Sequence, residues 1–109
     1  MVIVLIRRFV RSDREKEFLD KYRSQRPRQN PDFIGETLAK ISDDITLPES
    51  LKNLPLDGPG CVTYLNVATW ATWKAFSGTF DLSDVFDPEM ETAPRQRTVL
   101  DVILDTRSN

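Results

Sequence analysis

The chain has 109 residues, 39% of them hydrophobic and 29% charged, with a formal net charge of −2, one Cys and no His. These values are typical of a soluble globular protein with one hydrophobic core, so we expect a single domain spanning residues 1–109. Without histidine, a Ser-His-Asp triad, a histidine-ligated zinc and a proximal-histidine haem are all excluded for a single chain.

The remaining metal ligands are carboxylates, and no acidic cluster in the sequence has the spacing of a calcium loop. We therefore predict no metal site.

Charge is spread unevenly along the sequence. Residues 1–30 carry nine basic and four acidic side chains, a net charge of +5, which leaves −7 for the rest of the chain. Basic segments can bind nucleic acid, but here the basic residues alternate with acidic ones on a predicted helix, without an aromatic stacking platform. We expect a solvated helix face that contacts the acidic half; an anionic ligand is a less favoured alternative, and no nucleic-acid partner is predicted.

The first apolar run, Met1–Ile6, is too short to span a membrane, which takes about 20 residues. Arg7 and Arg8 follow it directly, whereas a signal peptide carries its charges before a longer apolar stretch. The lone Cys61 has no partner for an internal disulfide, which agrees with a reducing compartment. We predict a cytoplasmic protein without a membrane partner.

The first half of the chain predicts a strand, a helix and a second strand. Val2–Val10 has apolar residues at both odd and even positions, which indicates a strand covered on both sides. Ser12 and Glu15 form an S-x-x-E capping box, so a helix is expected to start at Ser12 and to end at Pro27. The second strand is expected over Phe33–Ile41, where side chains alternate in polarity.

The second half predicts a loop, a strand, a helix and a last strand. Residues 42–59 are rich in Asp, Pro and Asn and read as a long loop. A strand over 60–69 precedes Thr72, which is expected to cap the second helix. Residues 81–96 are polar and predicted as a loop, and Thr98–Leu104 as the final strand.

This order of elements predicts an α+β domain of ferredoxin-like βαββαβ layout, an antiparallel sheet with both helices on one face. The first and last strands are apolar on both sides, however, so one apolar face of the sheet would be left bare. Placing two copies face to face would bury it, which predicts a homodimer in the form of a dimeric α+β barrel.

The end of the third strand holds a candidate site. Asn66, Ala68 and Trp70 lie on one face because strand side chains alternate. Together with Tyr64 they would supply a few polar groups in an apolar cavity, which is typical of a small-molecule site. The alternative is that Trp70 belongs to the core, Tyr64 reaches the surface and Asn66 bonds to backbone.

Arg7 and Arg8 end the first strand, so one should face the helices and the other the opposite side. Either could bind a ligand carboxylate, although pairing with Glu36 or Asp101 on neighbouring strands is the favoured role.

Three segments resemble the antibiotic biosynthesis monooxygenase family. The run Asn-Val-Ala-Thr-Trp-Ala-Thr-Trp-Lys-Ala-Phe (66–76) is similar to that family's strand ending in Trp, followed by a capped helix with Ala-Phe. Glu-Phe-Leu (17–19) in the first helix and Pro-Asp-Phe-Ile-Gly (31–35) before the second strand match as well. The resemblance implies a dimeric α+β barrel with a ligand cavity between sheet and helices in each subunit.

Family members that form quinones without a cofactor have an Asn and a Trp four residues apart on this strand, as Asn66 and Trp70 are. The resemblance implies that Asn66 hydrogen-bonds a substrate oxygen and that Trp70 forms a cavity wall. Haem-degrading members use a His on the second helix, which this chain lacks. Substrate-binding roles are predicted for Tyr64, Trp73, Phe76 and Arg7.

The favoured hypothesis is a cofactor-independent monooxygenase, an oxidoreductase acting on an aromatic or polycyclic substrate. A non-catalytic dimeric ligand-binding or accessory protein of the same fold is the main alternative, and isomerase or lyase chemistry is a third. Exposure of Asn66 to a cavity beside Trp70 would favour an enzyme, and a filled core would favour the accessory protein.

Overall fold

The computed structural model describes residues 1–25, 30–51, 60–80 and 82–106. This part of the chain contains four strands and two α-helices, in the order β1 (Val2–Arg11), α1 (Glu15–Ser24), β2 (Phe33–Lys40), β3 (Cys61–Trp70), α2 (Trp73–Thr79) and β4 (Glu91–Asp101). Short 3-10 turns lie at Ser12–Arg14 and Glu49–Leu51. Along the described residues, the strands and helices follow one another as the sequence predicted.

The four strands form one open antiparallel sheet in the order β2-β3-β1-β4. The central strands, β1 and β3, are rich in Val, Ile, Thr and Tyr, whose branched or aromatic side chains favour extended backbone. An α+β domain with a four-stranded antiparallel sheet and two helices confirms the predicted class, and the arrangement fits a ferredoxin-like fold.

One face of the sheet packs against both helices. Beneath α2, Phe76 contacts a buried cluster that includes Val4, Ala68 and Trp70. Beneath α1, Phe18 packs with Val10 and Tyr64, which are also on even-numbered strand positions. Because side chains alternate along a strand, the even-numbered residues of β1 and β3 make up the covered face.

The other face of the sheet, here called the open face, carries the odd-numbered residues of β1 and β3. Its apolar residues are Ile3, Leu5, Phe9, Leu65 and Val67. The guanidinium of Arg7 lies over the Phe9 ring, 5.3 Å from its centroid. The prediction that β1 is apolar on both sides is thus confirmed.

The start of α1 differs from the predicted capping box. Ser12 begins a 3-10 turn, and α1 starts at Glu15 without a side-chain hydrogen bond at its N-cap, Arg14. The capping prediction was wrong because the Glu15 carboxylate has other partners. It accepts a 2.7 Å hydrogen bond from the Tyr64 hydroxyl and pairs with Lys40 at 3.0 Å.

The ends of the two helices agree with the sequence in part. The helix α1 ends at Ser24, and the predicted stop at Pro27 lies outside the described residues. The predicted cap of α2 is confirmed, since Thr72 Oγ1 accepts a 3.2 Å hydrogen bond from the Ala75 amide.

The last strand begins earlier than the sequence predicted. It spans Glu91–Asp101 instead of Thr98–Leu104, so residues 91–96 of the predicted loop belong to the strand and residues 102–104 of the predicted strand do not. β4 contains Pro94, but it is an edge strand, and its pairing with β1 shifts register between Ala93 and Gln96. Edge strands and bulges tolerate a residue that has no amide hydrogen to donate.

No helix within the described ranges is both long enough and apolar enough to cross a membrane.

Candidate functional site

A cavity of about 160 Å³ opens between the covered face and the helices. Its apolar walls come from β1, β3, α2 and the residue that follows α2; they are Ile6, Ala68, Trp70, Phe76 and Phe80. The cavity therefore has aromatic walls near α2, and its polar lining comes from both edges of the sheet, with Glu36 on β2 and Arg95 and Arg97 on β4.

Trp70, the last residue of β3, is the largest of these wall residues and is only 1% exposed. Its ring lies 5.1 Å from that of Phe33, 5.8 Å from Phe76 and 6.2 Å from Phe80, measured between centroids. Such tilted and edge-on arrangements are favourable for aromatic pairs. No residue of the described chain accepts a hydrogen bond from its buried Nε1.

The first polar end of the cavity joins three elements of the fold. The hydroxyl of Tyr22 (α1) donates a 2.8 Å hydrogen bond to Glu36 Oε2 (β2). Asn66 Nδ2 (β3) donates to the same Oε2 at 3.0 Å and also to the Tyr22 oxygen. We call these three residues the carboxylate end. Asn66 is 4% exposed and lines the cavity, as expected. Its amide, however, bonds to side chains that the sequence did not indicate.

The second polar end is rich in arginine. Glu91 is fully buried, and its Oε1 lies 3.1 Å from Arg8 Nη2 and 2.6 Å from Arg95 Nη2. Arg97 donates instead to the backbone carbonyls of Leu82 and Asp84, at 3.2 and 2.9 Å. We call Arg8, Arg95 and Arg97 the basic end of the cavity.

The pairing expected for the first-strand arginines was wrong for Arg8. Its partner is Glu91, not Glu36 or Asp101, because Arg8 faces the helices beside β4. Because residue 91 lies in the predicted loop 81–96, the local pattern does not indicate this pair.

The basic end is crowded with positive charge. Burial, together with repulsion from Arg95 and Arg8, lowers the pKa of Arg97, although Asp84 and Glu91 oppose the shift. The Nε atoms of Arg95 and Arg97 are both buried, and neither finds an acceptor among the residues that the structure describes. Charge and hydrogen-bonding capacity therefore both remain at this end.

A second cavity of about 290 Å³ adjoins the first, since the two share Arg8, Tyr22, Gln25, Asp84 and Arg95 in their linings. Its outer side carries an ion pair of 2.9 Å between Lys21 and Asp87. The hydrogen bond from Lys21 is the main reason that the pKa of Asp87 is lowered.

Three of the six predicted site residues come together in the first cavity. Asn66, Trp70 and Phe76 all line it, as their shared strand face and the capped helix led us to expect. Whether they take part in a reaction stays a prediction.

Tyr64 lies outside both cavity linings, in the cluster beneath α1. Its hydroxyl donates to Glu15, and burial together with this carboxylate raises the pKa of Tyr64 to about 12. Its position does not support the predicted substrate-binding role.

Trp73 and Arg7 also lie outside the two linings. Trp73 is 52% exposed on the outer side of α2, and Arg7 lies on the open face with Phe9. Strand alternation makes Arg8, and not Arg7, the first-strand arginine of the cavity, so binding roles for these two residues are not supported either.

Sequence reasoning missed Tyr22, Glu36, Arg95 and Arg97 as site residues. In β4, Arg95 and Arg97 are two positions apart with Gln96 between them, and this spacing places both arginines on the same face of a strand. Glu36 had no such signal, because only the register that pairs it with Ala68 brings it beside Asn66.

Within the described ranges, no group of three or more Cys, Asp or Glu side chains is arranged to hold a metal ion. Comparison with models of protein families and with curated proteins finds no match to this sequence. The family resemblance drawn from short segments therefore stays a prediction.

Proposed function

We propose that this protein is a cofactor-independent monooxygenase that oxidises a small hydroxyaromatic substrate in the cavity beside Trp70. The observation that supports this most is the carboxylate end, where Glu36 lies between Tyr22 and Asn66 on the wall of an aromatic cavity. A base, a binding surface for a ring and a sheltered volume are the parts that such a reaction needs.

Glu36 is assigned the role of general base. Its carboxylate would take the proton of the substrate hydroxyl, and the phenolate charge would spread onto the ring carbons. One electron then passes from the ring to dioxygen, and the two radicals join in a carbon–oxygen bond. Loss of water from the resulting hydroperoxide leaves a quinone. In total, a ring C–H and an O–H become two carbonyls, and one dioxygen yields one carbonyl oxygen and one water.

Asn66 is assigned a positioning role in this proposal. The sequence suggested a direct hydrogen bond from its amide to a substrate oxygen, but its two amide protons already bind Tyr22 and Glu36. It would act by orienting the Glu36 carboxylate, while Trp70 and Phe76 hold the ring.

We further propose that the active form is a homodimer in the cytoplasm. The open face presents Ile3, Leu5, Leu65 and Val67 side by side, and each is only partly buried in the single chain. A second copy related by a two-fold axis would cover this apolar area with an identical one and complete a two-sheet barrel.

The test is oxygen uptake and quinone absorbance with 1-naphthol and a hydroxyanthrone as substrates. Glu36→Gln, which keeps the shape and removes the base, should lower the rate ~100-fold or more. Asn66→Ala should also abolish oxidation while the dimer persists. Glu17→Gln is the matched control, since it makes the same change on the exposed side of α1 and should leave the rate unaltered.

A non-catalytic ligand-binding or accessory protein is the second candidate. It is favoured by the complete use of the Asn66 amide protons within the site and by the 4% exposure of Asn66. Tight binding of an aromatic ligand without oxygen uptake would support it, and unchanged turnover in Glu36→Gln would rule out the assigned base.

A further inference from the structure

The basic end of the cavity holds more positive charge than its buried neighbours offset. Three guanidinium groups, those of Arg8, Arg95 and Arg97, line the cavity, and the fully buried carboxylate of Glu91 pairs with those of Arg8 and Arg95. Asp84 also lines the cavity and its charge offsets part of this positive charge, but it is exposed, and the hydrogen bond from Arg97 goes to its backbone carbonyl. Positive potential therefore remains where β4 meets the cavity.

Hydrogen-bond donors at this end also remain unused. Arg95 binds Glu91 through Nη2, and Arg97 binds two carbonyls through Nη1 and Nη2. Their Nε atoms are buried without an acceptor in the described part of the chain. Because these two Nε atoms are closed to solvent, a ligand in the cavity would bind the guanidinium groups through their Nη atoms, and a planar anion is the acceptor that suits guanidinium best.

We infer that the ligand of this cavity is a small hydroxyaryl carboxylate whose carboxylate binds Arg95 and Arg97 and whose hydroxyl faces Glu36. This inference names the substrate class of the proposed function and rests on it. The ring would lie between the two ends, against Trp70. The reverse orientation is disfavoured, because it would place the ligand carboxylate against the Glu36 carboxylate.

The volume of the cavity limits the size of the ring system. An apolar cavity of roughly 150 Å³ can hold benzene, and the present one measures about 160 Å³. One ring, or two fused rings that reach the cavity mouth, therefore fit better than a larger polycycle. A three-ring ligand would have to extend past Tyr22 into the adjoining cavity.

The inference is tested by calorimetric titration of the full chain with two probes of the same ring size. The first is 6-hydroxy-2-naphthoate, with hydroxyl and carboxylate at opposite ends, and the second is 2-naphthol, which lacks the carboxylate. The acid should bind ~tenfold more tightly or better, as a charge-assisted hydrogen bond predicts.

Substitutions at the basic end test which arginines bind the ligand carboxylate. Arg97→Gln should weaken binding of the acid ~tenfold and leave the Kd of 2-naphthol unchanged, and Arg97→Lys should restore part of the loss. Because Arg97 also binds two loop carbonyls, Arg95→Gln is the second variant, with the same expected loss. Arg23→Gln is the matched control, since it removes one positive charge from a side chain that is 69% exposed on α1.

The outcomes separate this inference from the proposed function. Equal affinity for the two probes, or unchanged affinity for the acid in both Arg97→Gln and Arg95→Gln, overturns the carboxylate inference alone. Oxygen uptake with 1-naphthol would still stand in that case. If neither probe binds at millimolar concentration, the aromatic cavity is not a ligand site, and both proposals fail.

Discussion

The two faces of the sheet use the same strands for different purposes. On the covered face, β1 contributes Val2 and Val4 to a core and then Arg8 to a buried ionic cluster. On the open face, the same strand contributes Ile3 and Leu5 and then Arg7, whose cross-strand neighbour is Gln96. The helices shelter one face from water, so polar groups there can be held in fixed pairs.

The difference between the two faces suits one to binding a small molecule and the other to contact with a protein surface. Buried polar groups surrounded by aromatic rings give the covered face the means to recognise a small molecule. An apolar surface with few charges, as on the open face, is more suited to contact another protein surface. Changes on the two faces should therefore have different consequences, and three experiments examine this.

The largest effect is expected from Glu91→Gln on the covered face. Removing the buried negative charge leaves Arg8 and Arg95 facing each other uncompensated, which should lower the free energy of unfolding by about 3–5 kcal/mol. Urea denaturation followed by circular dichroism measures it. Glu89→Gln, an exposed change close by in the sequence, should have little effect, and equal stability of the two variants would contradict the buried cluster.

The second experiment places a charge on the open face. Val67→Lys puts an unpaired cation at the centre of the proposed dimer contact. Because the dimer would be symmetric, each of its two chains contributes one such cation. The dimer dissociation constant should rise ~100-fold or more, measured by sedimentation equilibrium.

Trp73→Lys is the control for that experiment, because Trp73 is an exposed apolar residue on α2, away from the open face. A wild-type chain that is monomeric at micromolar concentration would refute the dimer directly.

The smallest effect concerns Tyr64, on the covered face but away from the cavity. Tyr64→Phe should cost about 1 kcal/mol of stability, the value of one hydrogen bond, here to Glu15. It should leave oxygen uptake unchanged, because Tyr64 is outside the cavity lining. Loss of activity without loss of fold would restore the predicted binding role.

The same residue gives a pH dependence. The pKa of Tyr64 is raised from 10.0 to about 12 in the folded chain, so the folded state holds the phenolic proton more tightly than the unfolded state. The contribution of Tyr64 to the free energy of unfolding is therefore complete below pH 10 and is lost as the pH rises toward 12. Tyrosinate absorbance should show this late titration in the wild type and not in Tyr64→Phe.

Local patterns carried the prediction of most elements. The apolar runs of β1 and β3, the Thr72 cap and the order of strands and helices were all readable, because each depends on residues close together in sequence. The alternation of side chains along β3 also predicted that Asn66 and Trp70 share one face, and both residues line the cavity.

Local sequence patterns were thus enough to predict the element order and the faces of the central strands. The partners across the cavity followed only from the folded chain: Glu36 lies beside Asn66, and Arg8 pairs with Glu91, 83 positions away in the chain. The physical reason is that side-chain alternation is set within a strand, whereas the contacts of a polar group depend on register between strands. An edge strand with a bulge at Pro94 hides that register from any local pattern.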